Sequence, residues 1–171
     1  MRPADRSLVA PVAALRRTPG ARLVVETVVA AHDLAVSGSR VPEGSPVEVA
    51  LVLESAHDGI LVSGTVRAGW EGACRRCLEP ATGELSAEVC ELCVEDADDE
   101  TTYPLGRDEV DLARIVQDAC ILDLPLAPLC GEGCRGLCPG CGANRNVETC
   151  SCDLDRGGVG PTAGGDRRHD E

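Results

Sequence analysis

The sequence predicts an α+β protein: a small antiparallel β-sheet or partly open barrel, one main helix and a cysteine-rich C-terminal segment. Apolar and polar residues alternate with a period of two in several runs of the first hundred residues, as in half-buried strands. A later stretch has its apolar residues at helical spacing instead. Six of the eleven cysteines then fall within residues 130–152, which lack hydrophobic periodicity.

The first strand is expected directly after a segment rich in Pro, Ala and Arg. That segment, residues 1–20, ends in the turn signal Thr18-Pro19-Gly20 and is expected to be flexible. Residues 23–30 (LVVETVVA) are rich in β-branched side chains and predict a strand. We therefore expect a β-rich core domain over residues 21–129.

A β-hairpin is predicted around the Asp58-Gly59 pair, which is a strong turn signal between two strands. Alternating runs lie on both sides of it, at residues 47–53 and 60–70. A third alternating run covers residues 85–89, after a turn that we predict at residues 80–83. Antiparallel strands of this kind can curl into a partly open barrel, which hides their edges.

One helix is predicted at about residues 109–123. Asp108 is a suitable N-cap, and Glu109 and Asp111 would lie in the first turn, where the helix dipole favours negative charge. Pro125 would end the helix. The apolar stripe has the spacing i, i+3, i+4, i+7 and i+8, and consists of Leu112, Ile115, Val116, Ala119 and Cys120.

The charge balance limits the partners of this chain. There are 29 acidic residues against 16 basic ones, and the formal net charge is −13. A protein that binds nucleic acid directly, without a partner, needs a local basic surface. Residues 84–123 alone hold thirteen acidic residues and two arginines. Such a region is either a solvated acidic face or a docking surface for a basic protein partner.

The termini and the hydropathy predict a cytoplasmic protein without a membrane partner. No stretch approaches the roughly 18 to 20 apolar residues that a membrane span needs, and the N-terminus does not have the pattern of a signal peptide. Thiols stay reduced in the cytosol. Residues 153–171 are rich in Gly, Arg and Asp and are expected to form a disordered tail.

Residues 130–152 are predicted to be a zinc-binding segment, because so short a stretch without an apolar core needs cross-links. Cys138-Pro139-Gly140-Cys141-Gly142 has the form of a rubredoxin-like knuckle. In such a knuckle backbone amides turn towards the first sulfur, and a glycine after the second cysteine permits a positive φ. Cys150 and Cys152 follow, and two close pairs around a short loop are the layout of a zinc site with four thiolates.

The remaining cysteine pairs supply a second set of four ligands. Cys74-Arg75-Arg76-Cys77 is a further C-x-x-C, and another pair follows the helix. We therefore prefer two structural zinc sites, one formed by Cys138, Cys141, Cys150 and Cys152 and the other by Cys74, Cys77, Cys130 and Cys134. An alternative joins Cys130, Cys134, Cys138 and Cys141 in one site and leaves the rest without metal.

Three cysteines are expected to lie outside any metal site. Cys90 and Cys93 are three residues apart in a strand and would point to opposite faces. Cys120 lies on the apolar stripe of the helix, where a buried thiol acts as a small hydrophobe.

Catalysis has little support, and we expect neither an enzyme nor a small-molecule substrate. A catalytic zinc site keeps an open position and usually has histidine ligands, whereas His32, His57 and His169 lie outside the cysteine segments. A dithiol redox protein using Cys74 and Cys77 is an alternative, but a redox C-x-x-C should open a helix.

Several segments between about residues 20 and 152 resemble the bacterial YceD family of large ribosomal RNA subunit accumulation proteins. The most specific are Cys74-Arg75-Arg76-Cys77-Leu78-Glu79-Pro80 and Gly136-Leu137-Cys138-Pro139-Gly140-Cys141-Gly142. The others are Pro42-Glu43-Gly44-Ser45-Pro46-Val47, Asp58-Gly59-Ile60-Leu61-Val62-Ser63-Gly64-Thr65-Val66 and Asp123-Leu124-Pro125-Leu126. The chain is most similar to the cysteine-rich actinobacterial and Gram-positive branch.

The resemblance implies a role in accumulation or processing of 23S ribosomal RNA and so in assembly of the large subunit. Because the sequence has no catalytic constellation, we expect a non-enzymatic factor. Its expected partner is a ribosomal protein or a large-subunit assembly intermediate, which would make its contact with ribosomal RNA indirect. Shorter relatives keep the first C-x-x-C and a later His/Cys pair but lack the C-P-x-C-G segment. That pattern supports placing Cys74 and Cys77 with Cys130 and Cys134. An alternative function is a zinc-ribbon-like adaptor for protein interactions with no ribosomal role.

Overall fold

The computed structural model of this chain describes residues 6–97, 101–150 and 152. The tail predicted at residues 153–171 lies outside the described residues. In chain order the strands are β1 (Val9–Pro11), β2 (Arg22–Ala30), β3 (Ser39–Arg40), β4 (Pro46–Ser55), β5 (Ile60–Ala73), β6 (Pro80–Val94), β7 (Tyr103–Pro104) and β8 (Glu109–Asp111). Helix α1 spans Ala113–Asp123, and two short 3-10 helices, Arg6–Leu8 and Leu15–Arg17, flank β1.

The described strands form one six-stranded sheet and one two-stranded sheet. The order along the larger sheet is β2-β4-β5-β6-β7, and β3 pairs with one end of β5. All its pairings are antiparallel except the short parallel one between β6 and β7. The two ends of this path do not pair with each other, so the sheet is open and does not close into a barrel. The predicted fold class, an α+β protein with a small, mainly antiparallel sheet and one main helix, is confirmed.

The predicted hairpin around Asp58 and Gly59 is confirmed. Strands β4 and β5 pair without a break from Ser55 opposite Ile60 onwards. The N–H of Ala56 donates to the carbonyl of Gly59 at 2.9 Å and closes the turn. The long strand β5 then runs directly to the first C-x-x-C.

The turn predicted at residues 80–83 is wrong, because those residues already belong to β6. Pro80 pairs with Ala73 at the first position of the strand, where a proline is tolerated because its missing N–H is not needed by the ladder. The C-x-x-C motif itself makes the connection between β5 and β6. The N–H of Cys74 donates to the carbonyl of Glu79 at 2.8 Å across this turn.

The main core lies between one face of the large sheet and α1. Alternate residues of β4 are buried on this face, namely Val47, Val49, Leu51 and Leu53. Helix α1 packs mainly against β6 and β5, and its residues Ile115, Val116 and Cys120 are buried in the same core. The core contains no phenylalanine and consists mainly of Val, Leu, Ile and Ala. Each fully buried aliphatic side chain of this size contributes about 1.5 to 3 kcal/mol.

The N-terminal segment differs from the flexible segment predicted at residues 1–20. From residue 6 onwards it is structured: β1 pairs with β8, and the side chains of Leu8, Val12 and Leu15 are buried in the main core. The physical reason is that this segment carries enough aliphatic residues to cover one end of the core. Its composition of Pro, Ala and Arg did not reveal that burial.

The helix begins later than predicted. Glu109 and Asp111 belong to β8, which is the partner of β1, and Val110 between them is 1% exposed. Helix α1 therefore begins at Ala113 after Leu112, and Asp108 is not its N-cap. The carboxylate of Asp111 accepts the N–H of Ala113 at 2.9 Å and satisfies one free donor of the first turn. Among the described helices none is long and apolar enough to cross a membrane.

Candidate metal centres

Eight of the cysteines form two clusters of four. The first cluster is Cys74, Cys77, Cys130 and Cys134, and the second cluster is Cys138, Cys141, Cys150 and Cys152. Within each cluster all four sulfur atoms lie within 4.8 Å of one another. This is the preferred grouping from the sequence. The alternative that joins Cys130, Cys134, Cys138 and Cys141 is not the grouping found.

The distances between sulfur atoms in the first cluster fit a tetrahedral metal centre. Cys74 Sγ and Cys134 Sγ are 3.7 Å apart, and Cys77 Sγ and Cys130 Sγ are 3.5 Å apart. Four sulfurs placed tetrahedrally at about 2.3 Å from one zinc ion are about 3.8 Å from each other. A disulfide would need about 2.05 Å, and all eleven cysteines are free thiols. The first cluster could therefore hold a metal ion.

The first knuckle is the connection between β5 and β6. Cys74, at its start, is fully buried, and its sulfur accepts hydrogen bonds from the backbone N–H groups of Cys130, Arg76 and Cys77. The N–H of Leu78 donates to the carbonyl of Cys74 at 2.9 Å. The hairpin thus supplies two of the amides around this sulfur, and the segment after the helix supplies the third through Cys130.

The second knuckle repeats this arrangement in the cysteine-rich segment. The sulfur of Cys138 accepts hydrogen bonds from the backbone N–H groups of Gly140 and Cys141. The N–H of Gly142 donates to the carbonyl of Cys138 at 2.8 Å, and Gly142 has a φ of +76°. A Cβ on Gly140 would lie 3.2 Å from the sulfur of Cys152, so this glycine permits the close approach of a ligand from the other pair. The glycine with positive φ predicted after the second cysteine is confirmed.

Backbone amides make one cysteine of each cluster acidic. Burial raises the pKa of Cys74, but the three backbone hydrogen bonds outweigh it and lower the pKa to about 6. Hydrogen bonds from Gly140 and Cys141 likewise lower the pKa of Cys138 to about 6. Hydrogen bonding to Cys77 and to Cys134 raises the pKa of Cys130 to about 12. The thiolate is the form that binds metal, so each cluster has a sulfur prepared for this role.

The cysteine-rich segment is attached to the first knuckle by backbone hydrogen bonds. The N–H of Arg75 donates to the carbonyl of Pro128 at 2.9 Å. The carbonyl of Arg76 accepts the N–H of Leu137 at 2.9 Å, and the guanidinium of Arg76 donates to the carbonyl of Cys134 at 3.1 Å. These contacts bring together ligand pairs from distant parts of the chain.

Two asparagines also belong to the candidate site, and the sequence did not indicate their role. The side-chain amide of Asn146 donates to the sulfur of Cys134 at 3.4 Å. The carbonyl oxygen of the same side chain accepts the N–H of Arg135 at 2.7 Å, and Asn144 accepts the N–H of Asn146 at 3.0 Å. The available signal was an Asn-x-Asn run between two ligand pairs, since asparagine often bonds to nearby backbone amides.

The other three cysteines lie outside both clusters. Cys90 is exposed, and Cys93 and Cys120 are fully buried in the main core. Burial raises the pKa of Cys93 and of Cys120 to about 11. The expected opposite faces for Cys90 and Cys93 and the buried position of Cys120 are therefore found.

Fold and site together define a class: a small, open β-sheet protein that has one main helix in its described part and carries two four-cysteine clusters, each of which could hold a metal ion. The family model for the large ribosomal RNA subunit accumulation protein YceD matches residues 62–159. This range contains all eight clustered cysteines. The chain belongs to the YceD family.

Individual relatives extend the match towards the N-terminus. An uncharacterised protein of Mycobacterium tuberculosis is 37% identical over 139 residues, which cover 77% of this chain and 67% of the relative. An uncharacterised protein of Mycobacterium leprae is 29% identical over 156 residues, which cover 84% and 72%. A similar protein of Arabidopsis thaliana is named large ribosomal RNA subunit accumulation protein YCED homolog 1, chloroplastic. It is 26% identical over 156 residues, which cover 70% of this chain and 48% of the plant protein. No solved structure matches the chain.

Proposed function

We propose that this protein is a non-enzymatic factor for the accumulation of 23S ribosomal RNA and acts in the assembly of the large ribosomal subunit. The observation that carries the proposal is the family match over residues 62–159, which spans both cysteine clusters. The names of the plant relatives agree with it, because they refer to accumulation of large-subunit ribosomal RNA. We place the protein in the cytoplasm, where its thiols remain reduced.

Zinc is the metal that we propose for both clusters. Four thiolates at tetrahedral spacing suit zinc, and such sites are structural because every coordination position is taken by the protein. The eight proposed ligands are the members of the first and second clusters. The metal would supply stability to a segment with little apolar core, and no chemical step is assigned to it. We propose no enzymatic role, because four protein ligands would leave the metal without an open position for a substrate.

The charge of the uncovered sheet face favours a basic protein as the partner. Helix α1 packs on one face of the large sheet, and alternate residues of β2, β4, β5 and β6 lie on the other, outer face. With β3 included, the charged residues of this outer face are Arg22, Glu26, Arg40, Glu48, Glu54, Arg67, Glu71, Glu84 and Glu88. Six are acidic and three are basic, and Arg22 and Arg40 form ion pairs with Glu54 and Glu71. The surface keeps a negative balance, which disfavours a phosphate backbone and favours a basic protein such as a ribosomal protein.

Depletion of the protein in its own host tests the proposed function. We expect mature 23S RNA to fall relative to 16S RNA, and large-subunit precursors to accumulate in sucrose gradients. Expression of the unaltered chain should restore the ratio, and Cys138→Ser should restore it less well. A normal ratio of 23S to 16S RNA in fully depleted cells would exclude the proposal and favour an adaptor without a ribosomal role.

Metal content tests the zinc assignment independently. Protein purified without chelator should contain two zinc ions per chain, and Cys74→Ser and Cys138→Ser should each contain one. Cys90→Ser is the matched control, because Cys90 is exposed and lies outside both clusters. A parent protein without zinc would exclude the assignment.

A further inference from the structure

The loop between the two ligand pairs of the second cluster lies against the first cluster. This loop, residues 142–149, connects Cys141 to Cys150. Its residue Asn146 donates to the sulfur of Cys134, which belongs to the first cluster, at 3.4 Å. Its residue Asn144 donates to the carboxylate of Glu79, two residues after the first knuckle, at 3.4 Å. A loop whose ends are held by one centre therefore makes hydrogen bonds at the other.

We propose that Asn144 and Asn146 couple the two metal centres, so that metal bound at the second cluster strengthens metal binding at the first cluster. This inference rests on the proposed binding of metal by both clusters. Asn146 would act as a positioning residue: it does not touch the metal, but it holds the sulfur of Cys134 in place. Amides that donate to ligating groups from outside the first ligand shell orient those ligands and support affinity.

Backbone hydrogen bonds tie the loop to residues 136–138, but apolar burial contributes little to its position. Val147 is its one large apolar side chain and is 78% exposed, so burial does not fix the loop. Asn144 organises the loop internally, because its side-chain oxygen accepts the N–H and the side-chain amide of Asn146 at 3.0 and 2.9 Å. A metal shared by Cys141 and Cys150 would hold the ends of the loop together and offset the conformational entropy that closure of a free loop costs. Metal at the second cluster thus positions Asn146.

A backbone hydrogen bond also joins this loop to the segment between the two clusters. The N–H of Arg145 donates to the carbonyl of Gly136 at 3.0 Å, and Gly136 lies between the last ligand of the first cluster and the first ligand of the second. Its neighbour Leu137 donates its N–H to the carbonyl of Arg76 in the first knuckle. Because coupling between two binding equilibria is reciprocal, metal at the first cluster should also favour binding at the second.

The single tryptophan gives a reporter for the first cluster. Trp70 packs against the group that contains Cys74, Cys77 and Cys134. Cobalt(II), which binds tetrahedral thiolate sites in place of zinc, quenches tryptophan fluorescence when bound nearby. We would titrate the full-length protein with cobalt(II) in the presence of a competing chelator and follow Trp70. A Cys74→Ser variant measures the quenching that comes from the second cluster alone, and this is subtracted.

The experiment is a double-mutant cycle on the first cluster's affinity for cobalt(II). Asn146→Ala should weaken this affinity by about 10- to 100-fold, as removal of partners outside the first ligand shell typically does. The pair Cys141→Ser with Cys150→Ser, which disables the second cluster, should weaken it similarly. The triple variant should lose little more than either. Val147→Ala, in the same loop but exposed, is the matched control and should bind as the parent does.

Two results would overturn the coupling while leaving the zinc proposal intact: an unchanged affinity in Asn146→Ala, or losses that multiply in the triple variant. Asn146→Ala removes three side-chain hydrogen bonds, with Cys134, Arg135 and Asn144, but no metal ligand, so its result decides the matter even if the cysteine variants disorder the whole segment. Circular dichroism of the β-sheet verifies that each variant is folded. A parent protein that binds no cobalt(II) would instead exclude the proposed metal binding, and the coupling with it.

Discussion

Leu78 and Gly142 occupy the same position in two different knuckles. Each follows the second cysteine of a C-x-x-C, and each has a positive φ, +63° for Leu78 and +76° for Gly142. Each donates its N–H to the carbonyl of the first cysteine in its own pair, at 2.9 and 2.8 Å. The two turns thus share one local conformation, although only one of them has the glycine that suits it. For a residue with a Cβ this conformation costs about 1 to 2 kcal/mol.

Replacement of Leu78 should therefore show the cost of a side chain in this conformation. We expect Leu78→Gly to have a free energy of unfolding about 1 kcal/mol higher than Leu78→Ala, since both remove the side chain and only glycine relieves the positive φ. Gly142→Ala should lower the free energy of unfolding by about the same amount. Chemical denaturation of the metal-loaded proteins measures these differences. Equal stability of the two Leu78 variants would contradict the prediction.

Gly64 in the middle of β5 is predicted to be irreplaceable. Its φ is +145°, and a Cβ there would lie 2.1 Å from the carbonyl oxygen of Ala50 on the neighbouring strand. Gly64→Ala should therefore lower the free energy of unfolding by about 3 kcal/mol or more, through backbone strain and displacement of β4. Gly69→Ala in the same strand is the control, because the nearest atom would be 3.9 Å away, and it should change stability by less than about 0.5 kcal/mol. Thermal denaturation of both variants that shows equal losses would argue against this account.

Local patterns predicted much of this fold because the corresponding structures are themselves local. The Asp58-Gly59 hairpin is defined by a turn and two adjacent strands. Apolar residues alternate along both strands, and they bury one face of the hairpin. The second knuckle is likewise defined within five residues, where spacing and Gly142 determine the backbone. The assignment of the first cluster, by contrast, depended on counting ligand pairs and on the family resemblance.

Contacts between distant segments account for what the sequence did not predict. β1 and β8 are about a hundred residues apart, and each is only three residues long, so no local pattern indicates their pairing. Because residues 109–111 form β8, the helix begins at Ala113 and not at residue 109. The turn between β5 and β6 was misplaced because Pro80 is a strong local turn signal, whereas the register with Ala73 is set by the whole ladder. The hydrogen bond from Asn146 to Cys134 joins residues twelve positions apart, and no local pattern indicates it.

The observed start of α1 predicts a stability effect at Asp111. Asp111→Ala removes the acceptor for the N–H of Ala113 and should lower the free energy of unfolding by about 1 kcal/mol. Asp111→Asn keeps an acceptor oxygen and should lose clearly less. Asp108→Ala should have a small effect, because Asp108 is not at the helix start. A larger loss at Asp108 than at Asp111 in urea denaturation would support the helix start predicted from the sequence instead.

The three cysteines outside the clusters should differ sharply in reactivity. Burial raises the pKa of Cys93 and Cys120 to about 11, so at pH 8 only about one thiol in a thousand is a thiolate even before access is considered. Their reactivity should remain low until the pH approaches the raised pKa. We expect iodoacetamide to label exposed Cys90 in the native metal-loaded protein and to spare the other two, as measured by peptide mass spectrometry. Labelling of Cys120 at the rate of Cys90 would contradict its buried position.

Removal of metal should open the cysteine-rich segment and leave the β-sheet folded. Between residues 130 and 152 the buried side chains described are those of Cys134 and Cys138, so little apolar burial would hold the segment once the sulfurs are released. Trypsin tests this directly, because the chain has no lysine and is cleaved only after arginine. We expect cleavage after Arg135 and Arg145 to be slow in the metal-loaded protein, where hydrogen bonds hold the N–H of both residues, and fast after chelation.

Arg67 provides the internal control for this proteolysis experiment. It lies within β5, between two paired strands, and its cleavage should be slow with and without chelator. Comparison of cleavage at Arg67 with cleavage at Arg135 and Arg145 thus separates local opening at the clusters from global unfolding. Faster cleavage at Arg67 as well would mean that the metal stabilises the whole fold, including the main core. Unchanged cleavage at Arg135 and Arg145, in protein whose metal loss is verified by elemental analysis, would show that backbone hydrogen bonds alone maintain the segment.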